Sequence, residues 1–265
     1  MINELSDQLR ISWIFWINSN SCISKHSFRT GCCDLNKPAG ISKGVATWGA
    51  AQDVSPAGSI AGRPQVALSL DGGTATAVWG DQDPASNGGV VATRTAVITG
   101  AIADWGSGPD VLSGARGGWA PHVAISRDGT TAVTVWTATW PDNGIGYGIA
   151  QSRAASINAG STTWSNMQDL STPIELTSVG SDVALSADGT TAVAVWSFGS
   201  VNSRRASVSA GTATWKRTQP VSAKGAGPLI GLSRDGRTAV SVWNRSDGTR
   251  KFATYLQSAT AWAPQ

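Results

Sequence analysis

A twelve-residue phrase recurs four times in this chain, and it limits the possible folds more than any other feature. The copies are 68-LSLDGGTATAVW-79, 125-ISRDGTTAVTVW-136, 185-LSADGTTAVAVW-196 and 232-LSRDGRTAVSVW-243. Each holds an S-x-D-G turn, with Asp71, Asp128, Asp188 or Asp235, and a Trp eight residues later: Trp79, Trp136, Trp196 or Trp243. Successive Asp anchors lie 57, 60 and 47 residues apart. Periods of this size belong to solenoids, arrays and propellers, in which stacked units share a continuous core. A further Trp recurs in 46-ATWG-49, 103-ADWG-106, 162-TTWS-165, 213-ATWK-216 and 260-TAWA-263.

Each unit reads as four short strands. In the third, 183-VALS-186 turns at Ala187-Asp188-Gly189 into 190-TTAVAVW-196, followed by 203-SRRASVSA-210 and 212-TATWKRTQPVS-222. Asp-Gly between alternating apolar runs is a strong hairpin signal, since Gly adopts the positive φ the turn demands. The second strand is small or apolar on both faces, so both should be covered. A four-stranded sheet buried on both sides and repeated about an axis is a propeller blade. The expected fold is therefore an all-β propeller of about four four-stranded blades, forming a small ring or part of a larger one. The blades should span about 57–113, 114–172, 173–222 and 223–265, with an extra strand at 44–55. The small Ala positions leave room for a Trp from the adjacent sheet, so the repeating Trp are expected to be core residues; sugar-stacking platforms are the other reading.

Residues 1–43 share nothing with the repeats and read as a leader, disordered or foreign to the repeat protein. Glu4 and Asp7 in its start, and an apolar run limited to ISWIFWI, do not make a secretory signal. All three Cys (Cys22, Cys32 and Cys33) fall in this leader, and with His26 they match no zinc spacing. No apolar run approaches the roughly 20 residues of a membrane span. The net charge of +3, without a dense Lys/Arg cluster, argues against a nucleic-acid surface.

The S-x-D-G hairpins resemble those of WD40-like and TolB-type blades. The segments 156-SINAGSTTW-164 and 208-VSAGTATW-215 resemble degenerate Asp-boxes of bacterial sialidase-like BNR propellers. That resemblance implies a structural turn between the third and fourth strands, and a location outside the cell or on a bacterial surface. It also raises the alternative of a degenerate or truncated glycoside hydrolase. The family's Tyr–Glu nucleophile pair would have to come from Tyr147 or Tyr255 with Glu175, the only Glu within the repeats. No marked pair of carboxylates accompanies them, and glycoside hydrolysis requires two about 5–9 Å apart.

Propeller topology separates two faces. The S-x-D-G turns lie on one, and the connections from second to third strand lie on the other. From Trp79 to Trp105 is 26 residues and from Trp136 to Trp164 is 28, against 19 in each of the last two units. The extra length, 81-DQDPASNGG-89 and 138-ATWPDNGIGYG-148, reads as two long loops. They hold Asp81, Asp83, Asn87, Trp140, Asp142, Asn143 and Tyr147, a set of oxygen ligands and aromatic faces suited to a glycan or Ca²⁺; solvated turns are the bland alternative. Gln65, His122 and Asp182, read as preceding each innermost strand together with Leu229, should ring the channel mouth. His122 and Asp182 form a candidate acid–base pair, or simply a solvated rim. No catalytic residue, resident metal or cofactor is assigned, and the expected partner is a glycan or a protein.

Overall fold

The structure is a computed structural model that describes residues 35–36, 39–42, 45–57, 59–82, 89–114, 117–142, 145–175, 180–245, 247–256 and 262–264. Four antiparallel sheets follow one another along the chain. The first blade is Ile60–Leu68, Thr74–Gln82, Val90–Thr99 and Ile102–Asp104. The second is Trp119–Ile125, Thr131–Asp142, Ile145–Asn158 and Ser161–Trp164. The third is Gly180–Leu185, Thr191–Ser197, Val201–Ser209 and Thr212–Trp215. The fourth is Ala226–Leu232, Thr238–Asn244, Arg250–Leu256 and Ala263–Pro264. First strands of successive blades are neighbours, which makes them the innermost strands of a propeller.

Before the first blade, Ala39–Ser42 pairs with Val45–Trp48, and Leu35–Asn36 pairs with Gln52–Asp53. This reproduces the outer half of a blade: Ala39 faces Trp48 as Ala206 faces Trp215. The pairing crosses the boundary read from the sequence at residue 43. The repeat pattern is faint there because an outer strand, lacking the S-x-D-G turn, has little of the signature.

Strand two alternates two faces, and each has a fixed partner. One face, small–small–Trp, turns towards the preceding blade; the other, rich in Val, turns towards the following blade. Ala192, Ala194 and Trp196 pack on Val133, Val135 and Leu170 of the second blade. Trp136 packs on Val78 and Val91 of the first, and Trp243 on Val193 and Val201 of the third. In the first blade Ala75, Ala77 and Trp79 meet Val54 from the outer half-blade. Trp79, Trp136 and Trp196 are fully buried and Trp243 is nearly so, which makes these four indoles core residues.

The S-x-D-G turns are built alike. In the second blade Ser126 Oγ donates to Asp128 Oδ1 at 2.6 Å, Thr130 N–H donates to the same oxygen, and Thr131 N–H donates to Ser126 Oγ. Gly129 takes φ 74°, and a Cβ there would sit 2.7 Å from Thr74 Oγ1 of the preceding blade. Backbone hydrogen bonds then run from turn to turn: Leu70 N–H to Arg127 O, Arg127 N–H to Ala187 O, and Ala187 N–H to Arg234 O, at 2.8–2.9 Å. The repeated Asp orders a turn that is itself stitched to its neighbour.

The serine hydroxyl is the main cause holding each of these carboxyls below the ordinary Asp value, in Asp71, Asp128, Asp188 and Asp235 alike. A carboxylate lowered in the folded state favours folding above its unfolded pKa of about 3.9 and loses that contribution as pH falls through the lowered value. The thermal midpoint should therefore fall below about pH 4. Ser126→Ala/Ser186→Ala should begin with a lower midpoint and show a shallower acid loss, read by circular dichroism melts from pH 7 to 2.

Candidate functional site

The turn face offers little chemistry. Leu70, Asp71, Arg127, Asp128 and Ala187 border a shallow depression at the inner ends of the turns. Both carboxyls there are committed to their serines and held low. Neither has the raised pKa that a general acid needs at neutral pH.

At the channel, Gln65, His122, Asp182 and Leu229 stand at equivalent positions, opposite Val78, Val135, Val195 and Val242. They lie within the first strands rather than before them, since each strand begins two to five residues ahead of its channel residue. Gln65 is exposed. His122 Nδ1 lies 3.1 Å from Asp182 Oδ1, so the pair does form. Its geometry is that of a stitch: Asp182 Oδ1 accepts from its own strand's Val183 N–H, and Oδ2 accepts from Ile230 N–H of the fourth blade at 2.8 Å. One carboxylate thus ties the inner strands of three blades, and both of its oxygens are engaged.

On the other face the long connection of the second blade is mostly strand. Its second strand runs on to Asp142 and its third begins at Ile145, with Trp140 opposite Tyr147 and Asp142 opposite Ile145. Trp140, Asp142 and Tyr147 are therefore residues of a protruding hairpin, a correction to their reading as loop residues. Tyr147 is also the register partner of Glu175, in a short strand on the outer side of the sheet. In the strand order the second strand lies between the third strand, which holds Tyr147, and the innermost strand, and the Glu175 strand lies farther out still, so this Tyr–Glu pair sits away from a central funnel. Asp81 is the penultimate residue of the first blade's second strand, half-buried and opposite Ala61 and Val90. Asp83, Asn87 and Asn143, the remaining oxygen ligands proposed for a glycan or Ca²⁺, lie outside the described residues. Among the described residues no three His, Cys, Asp or Glu side chains converge as a metal site would require.

A different feature emerges beside Asp81. Ile60, Ala61, Gly62, Arg63, Gly80, Trp119 and Ala120 line a partly enclosed pocket of about 190 Å³ between the first two blades. Its walls are two β-bulges. The pairing of strands one and two shifts register between Gly62 and Gln65 and between Trp119 and His122. Arg63 and Ala120 take positive φ, 52° and 47°. A bulge re-aims side chains at a sheet rim, and here it accompanies an indole and a guanidinium at one opening. The ring of Trp119 rests against Gly89, where a Cβ would lie 3.4 Å from it. Gly118 N–H donates to Gly89 O, fixing the base of the first blade's long connection to the neighbouring inner strand.

Trp119 was not among the residues singled out from the sequence, yet a signal was there. Every other Trp from residue 44 onward except Trp140 occupies one of the two repeating anchor positions. Trp119 does not, and at its place relative to the channel residue the first and fourth blades have Gly62 and Ala226. A larger groove of about 520 Å³ lies on the fourth blade, lined in part by Lys224, Trp243, Arg245, Lys251 and Phe252.

No family model and no curated protein matches the sequence. Solved structures do match in fold. The BP39L lectin of Burkholderia pseudomallei aligns with TM-score 0.55 and 13% identity, over 88% of this chain and 66% of its own. The Dos1 propeller aligns with TM-score 0.52 and 9% identity, over 87% of this chain and 54% of its own. This chain thus spans about half to two-thirds of those structures, and at such identities the likeness concerns the fold alone. No helix among the described residues is long and apolar enough to cross a membrane. By fold, the chain is a β-propeller.

Proposed function

We propose that this chain is a non-catalytic binding module that recognises a glycan through its loop face, with Trp119 as the stacking surface. The observation that carries the reading is the pocket in which the Trp119 indole, the Arg63 side chain and the backbone of two bulges share one opening. The C–H face of a pyranose packs on an indole, while a guanidinium and backbone carbonyls take its hydroxyls. Asp81 stands at the next position beyond Gly80, within the same rim. The pocket's volume suits one sugar ring, which makes a terminal residue the natural epitope. The site of action in this reading is outside the cell or on a bacterial surface, where free glycans are met.

Glycan-array screening followed by titration calorimetry tests the proposal. A carbohydrate ligand should bind the native chain, and Trp119→Ala should weaken it about tenfold or more. The thermal midpoint should change little, since the ring is only half-buried. Binding unaffected by Trp119→Ala would overturn the site. Release of reducing sugar from a bound oligosaccharide would replace the reading with the hydrolase alternative.

A further inference from the structure

The groove of about 520 Å³ lies where the Trp-bearing face of the fourth blade meets the third blade. At the preceding boundary, between the second and third blades, the same place is filled. Phe198, two residues after Trp196, is 6% exposed and shares one buried cluster with Trp196 and Leu170. Two residues after Trp243 stands Arg245 instead. Leu170 and Val221 also correspond, each six residues after the last Trp of its own blade. An aromatic ring thus gives way to a cation and a Leu to a smaller Val, and both replacements line the groove.

The indole beside them differs in its hydrogen bonding. In the second blade Trp136 Nε1 donates to Oε1 of its register partner Gln151 at 3.1 Å. Trp243 is oriented alike, since a Cβ on Gly118 or on Gly225 would lie 3.1 Å from Nε1 of Trp136 or Trp243 and nearer still to its Cδ1. The register partner of Trp243, however, is Lys251, which donates and cannot accept. The Trp243 N–H is accordingly buried without a hydrogen-bond partner. Trp79 N–H also lacks one, opposite Ala92. The equivalents of Lys251 are Ala92, Gln151 and Asn202, so only the fourth blade sets a cation beside its indole.

Lys224 and Arg245 add two more cations to the same lining. The Lys224 segment is anchored, because Ser222 Oγ donates to Lys224 O at 2.8 Å and Gly225 N–H donates to Gly199 O. Arg245 Nε lies 3.7 Å from Asp247 Oδ2 in an exposed pair. Asp247 is itself engaged by the N–H and Oγ1 of Thr249.

We infer that this groove binds a tetrahedral oxyanion, the sulfate or phosphate group of an organic ester, with Trp243 N–H, Lys251, Arg245 and Lys224 as its donors. These four side-chain groups donate and none accepts, so a neutral hydroxyl satisfies them poorly. Such an ester group has three terminal oxygens for donors arriving from three segments of the chain, whereas a carboxylate has two. A guanidinium fork binds two such oxygens side by side. The site is separate from the Trp119 pocket and does not rest on the glycan reading.

Titration calorimetry of the whole chain with glucose 6-sulfate, glucose 6-phosphate, glucuronate and glucose tests the assignment. One or both esters should bind, more weakly as salt is raised, and should shift one indole N–H cross-peak in the proton–nitrogen spectrum. A preference for either ester supports the site and tells a sulfated from a phosphorylated ligand. Lys251→Gln gives the indole the partner that Trp136 has. It should weaken binding about tenfold or more and shift the same cross-peak in the free protein, with a thermal midpoint no lower than the native one. Arg245→Phe restores the residue of the third blade and should abolish binding. Failure of both esters to bind, or an affinity unchanged in either variant, would overturn the proposal. Glucuronate bound as tightly as the esters would refute the tetrahedral group, and glucose bound as tightly would show that no anion is recognised.

Discussion

Trp196→Ala should destabilise the protein by about 3–5 kcal/mol, the range for truncating a large buried aromatic. The indole is 2% exposed and lies against Val133, Val135, Ala150 and Leu170, so its removal opens a cavity between two whole sheets. Partial collapse is hindered, because the same blades are pinned elsewhere by the Arg127–Ala187 backbone bond and the His122–Asp182 contact. In a stacked protein an interface term is shared by the units on either side. The loss should therefore appear as a broadened or two-step urea transition as well as a lower midpoint, with the break between the second and third blades. Trp215→Ala, at a half-buried ring on the edge of the same cluster, should cost clearly less and keep a single transition. Equal losses at the two positions would show that the strand-two Trp is not what joins the blades.

The parts of this fold that were legible in the sequence are those encoded locally. An Asp, a Ser two residues before it and a Gly after it make a turn through bonds within six residues, so four copies read the same way and fold the same way. The alternation in TTAVAVW likewise states that both faces are covered. The repeated Asp is a turn residue in all four copies. Three features escaped for physical reasons. The extra length of 138–148 reads as a loop, although Asn143-Gly144 between apolar positions is a hairpin signal; the pairing of Asp142 with Ile145 follows that signal. Arg63 and Ala120 at positive φ have no residue-type signature, since Gly is what normally marks such positions, and so the bulged pocket with Trp119 stayed hidden. The exposure of Leu229, Val242 and Phe252, register partners on adjacent strands of the fourth blade, is a relation between blades that a strand's own sequence does not state. His122 and Asp182 are a candidate pair in the sequence, with a solvated rim as the alternative; the structure adds Ile230 N–H, which makes their contact a stitch between blades.

Gly211→Ala should cost about 2–5 kcal/mol, a large effect for adding one methyl group. Two causes act together. Ala210 and Gly211 form the two-residue turn between Ser209 and Thr212, both at positive φ (47° and 72°), as a type I′ hairpin requires. An L-side chain in that region costs roughly 1–2 kcal/mol. The second cause is contact: a Cβ on Gly211 would lie 2.5 Å from Ser156 N and 3.0 Å from Ala155 C, backbone atoms of the second blade's third strand. A sheet backbone cannot rotate away as a side chain can, so the turn or the whole blade edge must shift, adding roughly 1–3 kcal/mol. Gly160→Ala provides the control. It holds the equivalent turn position at φ 83°, but its nearest obstacle is Val97 Cγ2 at 2.7 Å, on a partly exposed side chain that can change rotamer. Its cost should stay close to the positive-φ term alone. Urea midpoints of the two variants separate these causes: the difference between them measures the blade-to-blade contact, and equal losses would leave only backbone strain. The Gly that carried the likeness to an Asp-box thus acts by letting one blade's turn close directly on the main chain of the blade before it.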